Sequence, residues 1–318
     1  MLLSHPAEPA PRVSVVIPAF RAAALLPRAI ASVAAQTMRD LEVLVVDDAS
    51  GDDTAEAAEG LLRAHGLAHA VLRLEANGGP AVARNAGVAR ARGAYVAFLD
   101  ADDVWMPDKL ALQVAVLDAN SRITLCGCQA DWVDGAGRVV GPLFEDLPEL
   151  MPDGWRRLLW HCFVATPCAV ARRADLGIRP FDPGLRVGED RDLWIKLASN
   201  GAVGLVQPCM ARILVSPDSF MATNTELVRR CTWPMVERHL ASFAAALSPF
   251  DRLRVRGSLH SQVGKSLSEQ PGRFLESSRH LLAAALSGYR PFDSLRHLAF
   301  TAPGLRHVKR HVKGRLGL

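Results

Sequence analysis

The stretch VSVVIPAF at residues 13–20, with LEVLVVDDAS at 41–50 and YVAFLDADD at 95–103, decides the fold. Each segment contains a run of apolar residues, many of them β-branched, which is typical of a buried strand. Apolar strands that alternate with helices indicate a mostly parallel sheet covered by helices on both faces. A further strand is predicted at 70–74, and helical spacing lies between the strands at 22–36, 54–64 and 81–92.

Acidic side chains follow two of these strands at the point where each strand ends. Asp47 and Asp48 end one strand, and Asp100, Asp102 and Asp103 end another. Because ligands of open α/β sheets bind outside the carboxyl ends of the strands, we expect these carboxylates on one rim of the sheet. Like charges that meet there repel each other, and a bound cation would offset the repulsion. Oxygen ligands of this kind suit Mg²⁺ or Mn²⁺.

A second acidic cluster opens a predicted helix at 188–198. Glu189, Asp190 and Asp192 lie in its first turn, where acids stabilise the helix dipole. One of these carboxylates can also serve as a general base toward a hydroxyl group, and the sequence leaves both roles open. The other elements predicted beyond residue 104 are a helix at 107–120, strands at 123–127, 166–173, 203–206 and 210–215, and helices from 225 onward.

The glycine-rich segment Gly78-Gly79-Pro80 precedes the predicted helix that carries Arg84 and Asn85. It lacks the Gly-Lys-Ser/Thr ending of a P-loop and the glycine spacing of a dinucleotide-binding fingerprint. It can still place a helix N-terminus and Arg84 near a diphosphate, or it can be an ordinary loop with a surface arginine.

Composition excludes several classes of protein. The chain has 318 residues, of which 49% are apolar, so it is neither disordered nor a small disulfide-stapled scaffold. No apolar run approaches the roughly 18–20 residues of a membrane-spanning helix. The start lacks the pattern of a secretory signal, and we expect a disordered leader at 1–11. The six cysteines have no zinc spacing and are expected to be reduced and mostly buried, as in a cytoplasmic protein.

Charge is divided unevenly along the chain. Residues 1–215 carry 21 Lys and Arg against 26 Asp and Glu, whereas residues 216–318 carry 16 against 7. The basic end lacks the interleaved aromatic residues of proteins that bind single-stranded nucleic acid, so nucleic acid is not an expected partner. Instead, we expect residues 295–318, which contain no acid, to contact an anionic membrane surface.

These segments resemble family 2 glycosyltransferases of the GT-A fold. Besides the three strands, the resemblance rests on SVAAQT at 32–37, NGGPAVARNAG at 77–87 and GEDRDLWIKLA at 188–198. It implies a Rossmann-like, mostly parallel central sheet with helices on both faces, followed by a helical C-terminal appendage. The domains expected from it are a GT-A domain at 12–220, with a nucleotide-sugar half at 12–103 and an acceptor half at 104–220, and a helical basic region at 221–318.

The resemblance also implies a reaction. A sugar would move with inversion from a nucleotide diphosphate sugar, expected to be a UDP-sugar, to a hydroxyl acceptor. Asp190 would be the catalytic base, with Glu189 beside it, and Asp102 with Asp103 would hold Mg²⁺ or Mn²⁺ on the diphosphate. The residues that would contact the donor nucleotide are Pro18, Ala19, Phe20, Asp47, Asp48, Gly79, Arg84, Asn85, Asp100 and Ala101.

Three positions depart from the family pattern, one of them Ala49, which stands where many members have glycine. Phe20-Arg21 stands where many members have Tyr-Asn, and Met210-Ala211-Arg212 offers no histidine as a third metal ligand. For the acceptor, the resemblance implies a glycan or lipid-linked glycan, used in surface polysaccharide assembly at the inner face of the plasma membrane. The candidates for lining the acceptor site are Thr166, Cys168 and Arg173.

The sequence fits three alternative functions less well. A GT-A-shaped nucleotidyltransferase would need a glycine-rich, basic loop after the first strand, where Pro18-Ala19-Phe20 stands. A sugar-nucleotide-binding module without catalysis would not need both Asp102 and Asp190. A receiver of the response-regulator type would need Thr or Ser and Lys at later strand ends, which the predicted strands lack.

Overall fold

A computed structural model describes residues 10–144, 147–215, 225–268 and 270–301. The chain divides into two compact units, Met1–Trp155 with Phe163–Ser216 and Arg156–Cys162 with Pro217–Leu318. The domain limits expected from the sequence stay a prediction, and they differ from these units in the placement of 156–162. Residues 1–9 of the expected leader lie outside the described residues.

The first unit is built on one ten-stranded sheet. Its strands are β1 (Val13–Ala19), β2 (Leu41–Asp47), β3 (Ala68–Arg73), β4 (Tyr95–Phe98), β5 (Val104–Trp105), β6 (Ile123–Val133), β7 (Val139–Pro142), β8 (Leu150–Met151), β9 (Val170–Arg172) and β10 (Ala202–Leu214). The main path runs β3-β2-β1-β4-β9-β6-β10-β5, with β7 beside β6 and β8 beside β10. Strands β3, β2, β1 and β4 pair in parallel, and so do β6 and β10. The parallel arrangement expected from the sequence is therefore confirmed for β1, β2, β3, β4, β6 and β10, while β5, β7, β8 and β9 pair antiparallel to their neighbours.

The strand β9 lies between β4 and β6 and is antiparallel to both. As a result β4 and β6 point the same way, and the four-stranded parallel block continues into the β6–β10 pair with its direction unchanged. The short turn that precedes β9, Thr166–Cys168, is thereby brought to the middle of the sheet.

Helices on both sides of the sheet complete the α/β architecture that the sequence predicts. They are α1 (Leu26–Ala34), α2 (Thr54–Ala64), α3 (Pro80–Arg90), α4 (Lys109–Ala119), α6 (Arg173–Leu176) and α7 (Glu189–Ser199), whereas α5 (Gly154–Leu158) begins in the first unit and ends in the second. Val15 and Val16 point to opposite faces of β1, yet both are fully buried. A strand covered on both faces is apolar at most positions. The buried exception in β1 is Ser14, whose Oγ donates a hydrogen bond to Glu42 Oε1 over 2.6 Å.

Two segments differ from the predicted elements. The short strands expected at 203–206 and 210–215 form one strand, β10, whose register with β6 shifts between Val206 and Cys209. Pro208 lies at this shift, where its missing N–H cannot take part in the ladder. The strand expected at 166–173 begins instead as the 3₁₀ turn Thr166–Cys168, which contains Pro167.

The second unit is helical in its described part. Its helices are α8 (Thr225–Leu227), α9 (Trp233–Ser242), α10 (Pro249–Ser268), α11 (Phe274–Leu286) and α12 (Pro291–Thr301), with a π-helical segment at Val228–Thr232 and a 3₁₀ turn at Ala244–Ala246. Val263 and Leu281 are buried between α10 and α11. A Cβ at Gly264 would lie 2.9 Å from Leu281 Cγ, so glycine permits this close helix contact.

The basic C-terminal stretch expected to contact a membrane begins within α12. Residues 302–318 of that stretch lie outside the described residues. Within the described ranges, the helices are too short or too polar for any of them to cross a membrane.

Candidate active site

The rim of the sheet collects the acidic strand ends that the sequence singles out. β1 lies between β2 and β4, with Ala19 opposite Asp47 in one pairing and Val16 opposite Phe98 in the other. Because the three strands are parallel, Asp48 and the segment 100–103 leave the sheet at the same edge. Asp48 N also donates a hydrogen bond to Ala19 O over 2.8 Å, which ties the ends of β1 and β2 together.

Asp48 holds the glycine loop in front of α3. Its two carboxylate oxygens accept hydrogen bonds from Gly78 N and Gly79 N, each over 2.8 Å. Gly79 has a φ of +83°, in the left-handed region that favours glycine. The sequence left open whether this loop lies near a diphosphate or is an ordinary loop, and in the structure both amide groups bind the end of β2. The neighbouring Asp47 accepts hydrogen bonds from the amide and hydroxyl of Ser50.

Arg84 connects the two halves of the first unit. Its Nη1 donates to Glu189 Oε1 and its Nη2 to Asp100 Oδ1, each over 2.7 Å. The guanidinium is buried and lies 5.6 Å from the centre of the Phe181 ring. Burial alone would lower the pKa of Arg84, but the charges of Asp100 and Glu189 raise it above its ordinary value. The side chain is therefore a permanent cation inside the acidic cluster.

Asp190 begins α7 beside Glu189 and is oriented by its neighbours. Thr166 Oγ1 donates to Asp190 Oδ2 over 3.2 Å, and Arg191 N donates to Asp190 Oδ1 over 2.6 Å. Burial raises the pKa of Asp190. Burial and the Asp190 charge raise the pKa of Glu189 to about 7. The ion pair with Arg84 opposes this rise, but one cation serves several carboxylates and only partly offsets their repulsion.

The segment 100–103 holds the predicted metal ligands. Burial, and next the charge of Asp100, raise the pKa values of Asp102 and Asp103. Asp103 Oδ1 accepts a hydrogen bond from Leu214 N over 3.0 Å, which fastens this segment to the end of β10. Among the described residues, no group of three or more His, Cys, Asp or Glu is arranged around a metal position. The donor set fits a cation that binds a few carboxylates and completes its shell with water and phosphate oxygens, as Mg²⁺ does.

The remaining donor-site candidates are an aromatic side chain and small residues at the rim. Phe20 is 46% exposed at the end of β1, with the Arg21 guanidinium 5.2 Å from its ring centre. Ala19, which precedes Phe20, and Ala101, which follows Asp100, are both buried, and Pro18 lies within β1. An exposed phenylalanine at this edge can stack on a planar base.

Asn85 serves the protein's own backbone. Its Nδ2 donates to Phe181 O over 2.8 Å, and its Oδ1 accepts from Phe181 N over 3.0 Å. Both ends of the amide thus hold the loop before α7, while the predicted nucleotide contact of Asn85 stays a prediction. Phe181 itself packs edge-on against Phe98, with 5.2 Å between ring centres.

The three acceptor-site candidates differ in what their side chains contact. Thr166 touches Asp190, whereas Cys168 is fully buried and Arg173 Nε donates to Gly93 O over 2.8 Å. The role of Phe181 was missed, because no local pattern marks a loop phenylalanine that packs on an arginine far along the chain.

Comparison with known proteins assigns the family. The sequence model described as glycosyl transferase family 2 matches residues 14–176, half of the chain. The chain belongs to glycosyl transferase family 2. The matched range contains the rim carboxylates, Arg84 and Thr166, while Glu189 and Asp190 lie beyond it.

Two curated relatives have names that refer to polysaccharide synthesis. The teichuronic acid biosynthesis glycosyltransferase TuaG of Bacillus subtilis is 30% identical, over 70% of this chain and 86% of its own. The succinoglycan biosynthesis protein ExoW of Rhizobium meliloti is 45% identical, over 48% of this chain and 54% of its own. A glycosyltransferase of Rickettsia conorii is 27% identical over 75% of this chain, which spans only 39% of that longer protein.

Solved glycosyltransferases share the fold. S. aureus TarS in complex with UDP-GlcNAc has a TM-score of 0.58 at 18% identity, covering 94% of this chain and 92% of its own. The mannosyltransferase PcManGT of Pyrobaculum calidifontis, with GDP-Man and Mn²⁺, has a TM-score of 0.54 at 21% identity, covering 88% and 87%. The GT-A fold expected from the sequence is confirmed.

Proposed function

We propose that this glycosyltransferase moves a sugar from a UDP-sugar to a hydroxyl acceptor with inversion, assisted by Mg²⁺ or Mn²⁺. The observation that carries the proposal is the double contact of Arg84 with Asp100 and Glu189. It sets the start of α7, and with it Asp190, beside the carboxylates at the end of β4. A base and a diphosphate-binding rim are thereby next to each other, as a direct displacement requires.

The donor is proposed to lie along the rim of the sheet. Phe20 offers an exposed ring to the nucleoside base, and Asp47 and Asp48 lie at the adjacent strand end. Asp100 and Ala101 lead from there toward the metal ligands, Asp102 and Asp103. When bound to these carboxylates, a divalent cation would neutralise the charge that develops on the departing diphosphate. Arg84 contributes indirectly, because its two terminal nitrogens already donate to Glu189 and Asp100.

Asp190 is proposed to act as the base. Its carboxylate takes the proton of the acceptor hydroxyl while that oxygen forms a bond to the anomeric carbon. The bond from the anomeric carbon to the diphosphate oxygen breaks on the opposite face, and the nucleoside diphosphate leaves with the electron pair. One displacement inverts the configuration at that carbon. Thr166 orients Asp190 through its hydroxyl group, at 3.2 Å.

The acceptor is proposed to be a glycan or lipid-linked glycan. The names of TuaG and ExoW, which refer to teichuronic acid and succinoglycan biosynthesis, support this class. We place the protein in the cytoplasm at the inner face of the plasma membrane, where residues 295–318 would supply cations for anionic lipid.

The test is a screen of nucleotide sugars by thermal shift with Mn²⁺, followed by sugar transfer and hydrolysis assays. We expect Asp190→Asn to bind the donor and lose turnover, and Asp102→Ala to lose metal-dependent donor binding. Asp108→Asn is the matched control, because Asp108 is exposed and makes no capping hydrogen bond. Wild-type turnover in both site variants would refute the assignment.

The same assays separate the alternatives. A nucleotidyltransferase would release pyrophosphate from a nucleoside triphosphate in the presence of a sugar phosphate. A non-catalytic binding module would bind donor with Mn²⁺ and turn over no donor under any acceptor condition.

A further inference from the structure

The second unit carries exposed apolar side chains where α11 turns into α12. Leu286 ends α11 and is 85% exposed, and Phe292 near the start of α12 is 88% exposed. Phe250 of α10 is also exposed, and its ring lies 3.7 Å from the position that a Cβ of Gly288 would take in the turn. We call Phe250, Leu286 and Phe292 the apolar tip.

The exposed apolar surface continues along α11 away from the tip. Leu275, Leu282 and Leu286 are exposed and recur at helical spacing, so they lie on one side of the helix. Leu281 and Ala284 are buried on the other side. Because α11 already buries one apolar face within the unit, its second apolar stripe is not required by the core. Exposed apolar side chains grouped on one side of a helix and at its end in this way are typical of an interaction site.

The charged side chains around the tip are basic. Arg279 is exposed within the leucine stripe, Arg290 lies in the turn, and Arg296 is exposed on α12. Glu276 and Asp293 are the acids of residues 270–301, and each is ion-paired with two basic side chains. The sequence that follows, 302–318, adds five Lys and Arg and no acid.

We propose that the apolar tip docks on an anionic membrane surface. Leucine and phenylalanine insert among lipid chains at the boundary with the headgroups, and the arginines extend to the anionic groups above them. A protein partner would match the apolar side chains equally well, but the excess of cations in the tip's own segment and in the sequence after it favours anionic lipid. The proposal assigns folded residues to the membrane contact and does not depend on sugar transfer.

The experiment is vesicle flotation of the full-length chain with phosphatidylcholine alone and with added phosphatidylglycerol. We expect the wild type to bind only the anionic vesicles, and the double variant Leu286→Ser, Phe292→Ser to bind them about tenfold or more weakly, because two apolar side chains no longer insert. Ile178→Ser is the matched control, since Ile178 is 87% exposed in the first unit and lies outside the tip. Its binding should equal that of the wild type.

Three results would overturn the proposal. The first is that the wild type does not bind anionic vesicles. The second is that the tip variant binds them as tightly as the wild type, and the third is that Ile178→Ser loses as much binding as the tip variant. Light scattering on the same proteins tests whether a second copy of the chain binds the apolar tip instead. If the wild type is a dimer that the tip substitutions dissociate, and vesicle binding is unchanged, the tip joins two copies of the chain.

Discussion

The Arg84 guanidinium donates to Glu189 across 105 positions of sequence, with 2.7 Å between Nη1 and Oε1. Both side chains are buried. Arg84 lies on α3, whose N-terminal loop is held by Asp48, and Glu189 is the first residue of α7. With the hydrogen bond from Arg84 to Asp100, this contact therefore joins the ends of β2 and β4 to the helix that carries the proposed base.

Replacing Arg84 should disrupt stability and activity together. In Arg84→Met, Glu189 and Asp100 lose their cation while Glu189 stays buried, so we expect a loss of about 3–5 kcal/mol in the free energy of unfolding. Denaturant titration measures this, and kcat/KM should fall in parallel. Arg90→Met, at the exposed end of the same helix, should change stability by less than about 0.5 kcal/mol. Equal effects of the two substitutions would contradict the role of Arg84.

Thr166 should tune the base through a single hydrogen bond. The bond from Thr166 lowers the pKa of Asp190 against the effect of burial, so its removal in Thr166→Val should raise that pKa further. We expect the acidic limb of the kcat/KM profile to move to higher pH and kcat/KM to fall about tenfold. Thr166→Ser keeps the hydroxyl and should retain the wild-type profile. A lower rate with an unmoved acidic limb would indicate a merely structural role.

Glu189 should make the stability of the fold depend on pH. Its pKa rises from an ordinary 4.5 to about 7, so the folded state favours the protonated acid. The stabilisation of the fold by the protonated form is complete below pH 4.5 and is lost as the pH rises through 7. The free energy of unfolding should therefore fall by about 3 kcal/mol over this range. Glu189→Gln cannot ionise and should lose less stability over that window. Denaturant unfolding of both proteins on either side of the window measures the difference, and parallel curves would contradict the raised pKa.

Asp102→Asn should have opposite effects with and without metal. Burial and Asp100 disfavour the ionised form of Asp102, so the neutral amide should raise the melting temperature of the metal-free protein. With Mn²⁺ and UDP, the wild type should gain about 2.7 kcal/mol at a hundredfold excess over Kd, and the variant should gain much less. Differential scanning fluorimetry of the metal-free protein and of the protein with Mn²⁺ and UDP measures both changes in melting temperature, with Asp108→Asn as the control. An undiminished response to Mn²⁺ in the variant would exclude Asp102 as a ligand.

The sequence predicted the parallel block and its acidic rim because both depend on local signals. Residues 13–17 form an apolar strand because helices cover both faces, and Asp47 and Asp100 stand where their strands end. The insertion of β9 and the contact of Arg84 with Glu189 could not be predicted, since each joins distant segments with no periodic pattern. Hydrogen bonding by Asp48 to the glycine loop was missed for the same reason.

The packing of α3 on β1 should be sensitive to one added methyl group. A Cβ at Gly87 would lie 2.4 Å from Val16 Cγ1, and Val16 is fully buried. Gly87→Ala must therefore displace α3 or β1, and we expect a loss of about 1–3 kcal/mol in the free energy of unfolding. Gly60→Ala is the matched control: Gly60 lies within α2 with no atom within 4 Å of its added Cβ. There alanine should stabilise the protein by about 0.5–1 kcal/mol, through its higher helix propensity. Because α3 carries Arg84, Gly87→Ala should also lower kcat, and full activity in a destabilised variant would show that Arg84 tolerates displacement of its helix.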